Sequence, residues 1–218
     1  MPIDPAQIAL MLAMALTLTP TPASPLRPRV MRVSVVLLYT CGLRLGERLR
    51  LRLDDVDDRG GVLRIRESKF HKSRWVPLSP SALVELRKYL GMRQEQPGID
   101  RRVDAPLLCN RGSGWRSYSK SGMQQALHRL FEAAGVRNRD GRCPRVHDLR
   151  HAHAVEALRR WYAEGADVQV NLPKLALYMG HVSIVSTAYY LRWMPAVIEH
   201  ASECYERFCG SLITGGRP

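Results

Sequence analysis

Residues 42–78 read GLRLGERLRLRLDDVDDRGGVLRIRESKFHKSRWVPL, and this stretch decides the fold class. Upstream of it, residues 29–53 have a helical pattern, with an apolar stripe through Val33, Val36, Leu37, Tyr39 and Thr40. Gly42 and Gly46 interrupt that pattern, so a break is expected near GLRLGE. The period then changes. Short strands are expected around Val56, over Val62–Arg66 and over Arg74–Leu78, with Gly60 and Gly61 turning the first pair. ESKFHKS joins the second pair as a hairpin tip. One small antiparallel three-stranded sheet therefore sits inside a helical chain.

The outlying segments are helical. Asp4 is suited to cap a first helix with Pro5 at its first position, and PTPASPLRP (20–28) reads as a loop. Ser79-Pro80-Ser81 opens a helix through Tyr89 that can extend to Gln94, and residues 95–117 read as loop. Further helices are expected over Lys120–Ala134, His147–Glu164 and Pro173–Met179, stopped by Gly135, Gly165 and Gly180. From Ser186 onward the chain is mostly helical. The fold class is α+β, mostly helical, in a chain long enough to bury a real core.

The charge narrows the partners. The 218 residues carry a net charge of +13, and 28 of the 33 basic residues are Arg. Such an excess suits a polyanion, because each neutralised phosphate releases condensed counterions. Nucleic acid is the first candidate and an acidic membrane surface the second, although an Arg-rich composition also follows from a GC-rich genome. The apolar run at residues 8–18 lacks the basic flank of a signal peptide, since Asp4 is the only charge before it, and it is too short to span a bilayer. Cys41, Cys109, Cys143, Cys204 and Cys209 form no C-x-x-C pair, so reduced thiols in a cytoplasmic protein are expected.

Four pieces carry chemistry: Cys41–Glu47 (CGLRLGE), the hairpin with Lys69 and Lys72, His147–Arg150 (HDLR), and Gly180-His181 with Tyr190 nine residues on. Hydroxyl attack on a phosphodiester builds negative charge on the non-bridging oxygens. Two guanidiniums can clamp that charge and stay protonated at any working pH, a task suited to Arg44 and Arg150. A tyrosine is about one part in a thousand ionised at pH 7, so it needs a base or a strong field, which His147 or His181 can provide. The departing sugar hydroxyl needs a proton, which a hairpin lysine can deliver. His147 and Arg150, three residues apart, share a helix face.

In this order the four pieces resemble the tyrosine recombinase (phage integrase) family over about residues 4–195. GLRLGE resembles its first-arginine box, which points to Arg44. SKFHKSRWVPL resembles its β-hairpin lysine segment and, aligned on RWVPL, puts the lysine at Lys69, with Lys72 near the far side. HDLRH resembles its H-x-x-R box, giving His147 and Arg150. LYMGHVSIVSTAYYLR resembles its closing segment, giving His181 and Tyr190; Tyr189 points about 100° away on a helix.

The resemblance implies a catalytic domain over 1–195 and a tail helix over 196–218, with 196–209 able to dock on a neighbouring subunit. It implies two-step transesterification through a 3′-phosphotyrosyl link, with no cofactor and no metal. The implied partner is double-stranded DNA, with a homotetramer on paired sites and a full-length recombinase or another subunit as a further partner. The implied setting is the bacterial cytoplasm, at the nucleoid. Family members carry a separate helical core-binding domain ahead of the catalytic one, whereas Met1 here lies almost at the first catalytic helix. The sequence is therefore expected to be the catalytic domain alone.

Other readings compete. A non-catalytic DNA-binding remnant keeps the fold without recombining, and a relaxing topoisomerase shares the chemistry. His147 and His151, four apart with an acid beside the first, mimic a zinc-protease helix, but that acid is Asp and no third ligand stands at a familiar spacing. His151 and His153 are expected to flank the site or to pack. Glu47 is expected to be structural, bonding backbone or a nearby arginine. The basic loop 137–145 and Arg64, Arg66 and Arg74 are candidates for phosphate contact.

Overall fold

The computed structural model describes residues 3–66, 73–138, 140–181 and 185–193. It resolves into two compact units, one formed by the chain up to His153 together with Tyr178–Gly180, the other by Ala154–Leu177 and the chain from His181.

The first unit is built around α2 (Arg27–Thr40). Val30, Met31, Val33, Ser34, Val35, Val36, Leu37 and Leu38 are all buried, so this helix is enclosed and not merely amphipathic. Full burial of each such aliphatic side chain contributes about 1.5–3 kcal/mol relative to exposure. α1 (Pro5–Thr17) packs on it through Ile8, Met11 and Ala15, an i, i+3, i+7 stripe. Asp4 caps α1 as expected: its carboxylate accepts from the Ala6 N–H at 2.7 Å, while the Gln7 side chain accepts from the Asp4 N–H at 3.3 Å.

The chain breaks at Gly42 (φ +57) and resumes in the short α3 (Leu45–Arg50). Strands β1 (Val56–Asp57), β2 (Val62–Ile65) and β3 (Arg74–Pro77) form the expected antiparallel sheet in that order. Val56 faces Leu63, Leu63 faces Val76 and Ile65 faces Arg74. Leu63, Ile65 and Val76 point into the core; Arg64 and Trp75 pair on the outer face, with the guanidinium carbon 5.7 Å from the indole centroid. Arg66 pairs with Asp55 and, at 2.6 Å, with Asp54. The hairpin tip carrying Lys69 and Lys72 lies outside the described residues.

α4 (Pro80–Gln94) starts at Ser79, whose hydroxyl accepts from the Ala82 N–H at 3.3 Å, and buries Ala82, Leu86, Tyr89 and Arg93. α5 (Lys120–Ala133) is capped by Ser119 and buries Met123, Leu127, Leu130 and Phe131. Between them the sequence reading found only loop, but a second antiparallel pair forms, β4 (Cys109–Asn110) with β5 (Arg116–Ser117). Two-residue strands carry no readable alternation. Here a local turn holds them, with the Asn110 side chain accepting from the Gly112 N–H at 2.9 Å.

Arg48 on α3 is fully buried, and among the described residues none of its three side-chain nitrogens has a hydrogen-bond partner. Burial pushes its pKa down to about 9, so at neutral pH it remains a buried cation.

α6 (Asp148–Ala163) matches the expected helix to within a residue at each end and contributes to both units, changing at His153–Ala154. The second unit also contains most of α7 (Val168–Met179), the short α8 (Val185–Ala188) and a 3₁₀ turn over Tyr189–Trp193. Its buried apolar residues include the small or aliphatic Ala154, Ala157, Leu158, Val168, Leu172, Leu175 and Ala176, together with Tyr190. α7 begins five residues before the expected Pro173. Asp167 supplies the start signal, accepting from the N–H groups of Gln169 at 2.8 Å and Val170 at 3.1 Å. Pro173 sits inside the helix and removes a single N–H from its ladder. Gly180 (φ +68) ends the helix as expected. The tail helix expected over 196–218 lies outside the described residues, as do Cys204 and Cys209.

Candidate active site

In the first unit the site begins with a glycine. Positive φ at Gly42 turns its carbonyl toward Arg150, whose Nη1 donates to it. A Cβ at Gly42 would lie 2.8 Å from the His153 ring, so the turn and the close approach both call for glycine. Two residues on, Arg44 precedes α3. Its backbone N–H donates to Glu47 Oε2 at 2.9 Å and its Nη1 to Glu47 Oε1 at 2.8 Å, fixing the start of the helix and the side chain together.

Glu47 is buried and also accepts from Arg74. The Arg74 Nη1 and Nη2 atoms donate to Oε1 and Oε2, each at 3.0 Å, in a bidentate fork. Glu47 is thus structural, as expected. Arg74 is not the surface phosphate ligand the sequence reading allowed. It shares strand parity with Val76, so it points inward, and its side chain is 9% exposed. Arg66, paired with Asp54 and Asp55, is more exposed than Arg74, with 35% of its side chain open to solvent.

Three arginines converge on one piece of backbone. Arg74 Nε donates to the Tyr178 carbonyl at 2.8 Å, Arg150 Nη2 to the Met179 carbonyl at 2.6 Å, and Arg44 Nη2 to the Gly180 carbonyl at 2.9 Å. These consecutive carbonyls form the C-terminal end of α7, where intrahelical partners run out and the helix dipole is negative. Arg150 is 1% exposed; the side chain of Arg44 is 26% exposed and lines a cleft of about 840 Å³.

His147 lines the same cleft, just ahead of α6. Its ring meets His151 edge to face, with centroids 4.6 Å apart. Loss of water around the imidazole, then the fields of His151, Arg150 and Arg44, push its pKa down to about 4, against a smaller opposing pull from Asp148. His147 is therefore a neutral imidazole at pH 7, able to accept a proton. His151 is also shifted down, chiefly by burial. His153 stacks on Tyr178 at 5.5 Å, a packing role. Arg50, Lys120, Gln124 and Arg145 complete the cleft wall, which gives it a cationic lining. Of these, only Arg145 belonged to the loop singled out in the sequence; the others come from α3 and α5, and linear spacing gave no sign that they meet.

In the second unit, His181 Nδ1 and Thr187 Oγ1 lie 2.7 Å apart. The His181 ring stacks on Tyr190 with centroids 6.2 Å apart and planes at 23°. Tyr190 is 3% exposed, whereas the adjacent Tyr189 is 47% exposed. Arg44, His147 and Arg150 thus gather in one unit, and His181 and Tyr190 in the other. Lys69 lies outside the described residues. Among the described residues no cluster of three His, Cys, Asp or Glu side chains could hold a metal ion.

The y4rB protein of Sinorhizobium fredii is 37% identical over 183 residues, covering 84% of this chain and 57% of the relative. The tyrosine recombinase XerC of Chromobacterium violaceum is 34% identical over 154 residues, covering 71% of this chain and 45% of the relative. The chain thus spans about half the length of these relatives. Among solved structures, the Tn1549 transposon integrase in complex with transposon right end DNA superposes with a TM-score of 0.67 at 17% identity, over 95% of this chain and 65% of that one, a likeness of fold. The phage integrase family model matches residues 3–195, which takes in every described residue, and the chain belongs to that family.

Proposed function

We propose that this chain is the part of a site-specific recombinase that cuts and rejoins double-stranded DNA, with Tyr190 as nucleophile. The observation that carries the reading is the convergence of Arg44, Arg150 and a neutral His147 beside a cationic cleft. Two guanidiniums offset the charge that builds on a phosphorane, and they need no change of protonation to do so.

In the first step the Tyr190 oxygen attacks phosphorus, and its proton passes to an imidazole, His147 or His181. The bond from phosphorus to the 5′-oxygen breaks, leaving a 3′-phosphotyrosyl link. Lys69 is assigned the proton for the departing 5′-hydroxyl. In the second step a 5′-hydroxyl from a partner strand attacks phosphorus, the tyrosyl oxygen leaves, and the protons return. The phosphodiester energy is retained in the phosphotyrosine, so no nucleotide is consumed. Arg50, Lys120 and Arg145 line the path of the flanking backbone and position it without reading sequence. The active assembly on this reading is a tetramer on paired sites.

A nicked DNA carrying the cognate site traps the adduct, which a denaturing gel displays. The expected result is an adduct lost in Tyr190→Phe and kept in Tyr189→Phe. Absence of adduct on a verified site, with binding intact, would favour a DNA-binding remnant and overturn the assignment.

A further inference from the structure

We infer that Arg74, which the mechanism above does not use, is a positioning residue: it keeps Arg44 held by Glu47 without being neutralised by it. The inference rests on the cleavage role proposed for Arg44.

Glu47 creates an electrostatic difficulty. A buried carboxylate 2.8 Å from Arg44 Nη1 orients the guanidinium but also cancels its charge, and a cancelled guanidinium is a poor ligand for phosphate. Arg74 supplies the missing charge. Its fork occupies both Glu47 oxygens at 3.0 Å, so the Arg74–Glu47–Arg44 group carries one net positive charge. Of the two arginines, Arg44 is the one that lines the cleft. Arg74 is further fixed by the Tyr178 carbonyl at 2.8 Å. The backbone has made room for it as well: a Cβ at Gly180 would lie 2.6 Å from Arg74 Nη1. Arg74 therefore ties α3, β3 and the end of α7 into one network, with its guanidinium nitrogens bonded to Glu47 and the Tyr178 carbonyl and not lining the cleft.

The test uses the full chain and compares wild type with Arg74→Ala, Arg74→Lys, Glu47→Gln and the double variant Arg74→Ala/Glu47→Gln. Single-turnover cleavage at saturating DNA is expected to fall about a hundredfold in Arg74→Ala, the loss of one preorganised charge stabiliser, with the Kd for DNA changed less than threefold. Arg74→Lys, which keeps the charge, is expected to stay within tenfold of wild type. The decisive readout is the double variant. Removing Glu47 as well restores the net charge beside Arg44, so it is expected to recover at least tenfold over Arg74→Ala. A purely structural Arg74 predicts further loss there, and that result overturns the inference. Amide exchange over residues 178–181 gives a readout independent of cleavage, expected at least tenfold faster in Arg74→Ala with α2 unchanged. If wild type forms no adduct, the proposed function fails and exchange alone decides: faster exchange at 178–181 upholds the Arg74 network, and unchanged exchange overturns it.

Discussion

His147 and His151 meet edge to face with ring centroids 4.6 Å apart, one turn from a guanidinium that is itself buried. Burial of the ring, and then each of these neighbours, disfavours a proton on His147, whose pKa falls from 6.5 to about 4. Between those two values the unfolded chain binds the proton more readily than the folded one. The stability this group contributes is therefore whole above pH 6.5 and lost as pH falls through about 4. In the DNA-free protein His147 is expected to show no titration between pH 5 and 8. A titration near 6.5 that disappears in His147→Gln contradicts this. NMR titration is expected to show the His147 pKa rising when DNA binds, because phosphate offsets the field of Arg44 and Arg150.

Gly180 and Gly135 separate backbone strain from crowding. Both have positive φ, +68 and +64, but a Cβ at Gly135 meets nothing within 4 Å. Gly135→Ala is expected to cost about 1–2 kcal/mol, the strain of the left-handed conformation alone. Gly180→Ala is expected to cost more and to slow cleavage, since it also displaces Arg74. Urea unfolding of the two variants side by side checks the difference, and equal losses would show that the guanidinium gives way freely.

Arg48 is the opposite case, a charge whose removal should help. Its burial without a partner among the described residues leaves a desolvation cost that nothing repays. Arg48→Met fills similar volume with apolar atoms and is expected to stabilise the chain by about 1–4 kcal/mol. A lower melting temperature for the variant contradicts this.

Thr187 holds Nδ1 of His181 at 2.7 Å and so helps fix the tautomer and tilt of the ring that stacks on Tyr190. Thr187→Val is expected to slow cleavage about five- to tenfold, the worth of one neutral hydrogen bond, with DNA affinity unchanged. Single-turnover rates against binding isotherms separate the two effects.

Lys120 and Arg50 line the cleft beside Arg44. Alanine at either is expected to weaken binding equally on cognate and random DNA and to reduce the log–log salt slope by about 1. A loss confined to cognate DNA points to base contact instead.

The broad architecture was legible because its signals are local. Asp4 and Pro5, the glycines at 42 and 180, and the change from helical to alternating period at Val56–Leu78 each act within a few residues, whereas Gly46, expected to help break the helix, lies inside α3. Arg44, His147 and Arg150 stood out because their boxes are short and contiguous. What stayed hidden depended on distance. Asp167 starts α7 through a cap whose strength shows only once the helix exists. Arg74 looked like one more hairpin cation, although its parity with Val76 already implied an inward direction. The meeting of Arg50, Lys120 and His147 is a product of packing between elements far apart in sequence. The β4–β5 pair is too short to have a period.

The three carbonyls gripped by Arg74, Arg150 and Arg44 also set a leash. With Gly180 pinned, Tyr190 hangs ten residues beyond a fixed point, a length of about 15 Å if wound as helix and about 33 Å if drawn out. On the role proposed for Tyr190, any phosphate it attacks must lie within about that reach of Gly180, so a helix end fastened by charge would bound the space open to the proposed nucleophile.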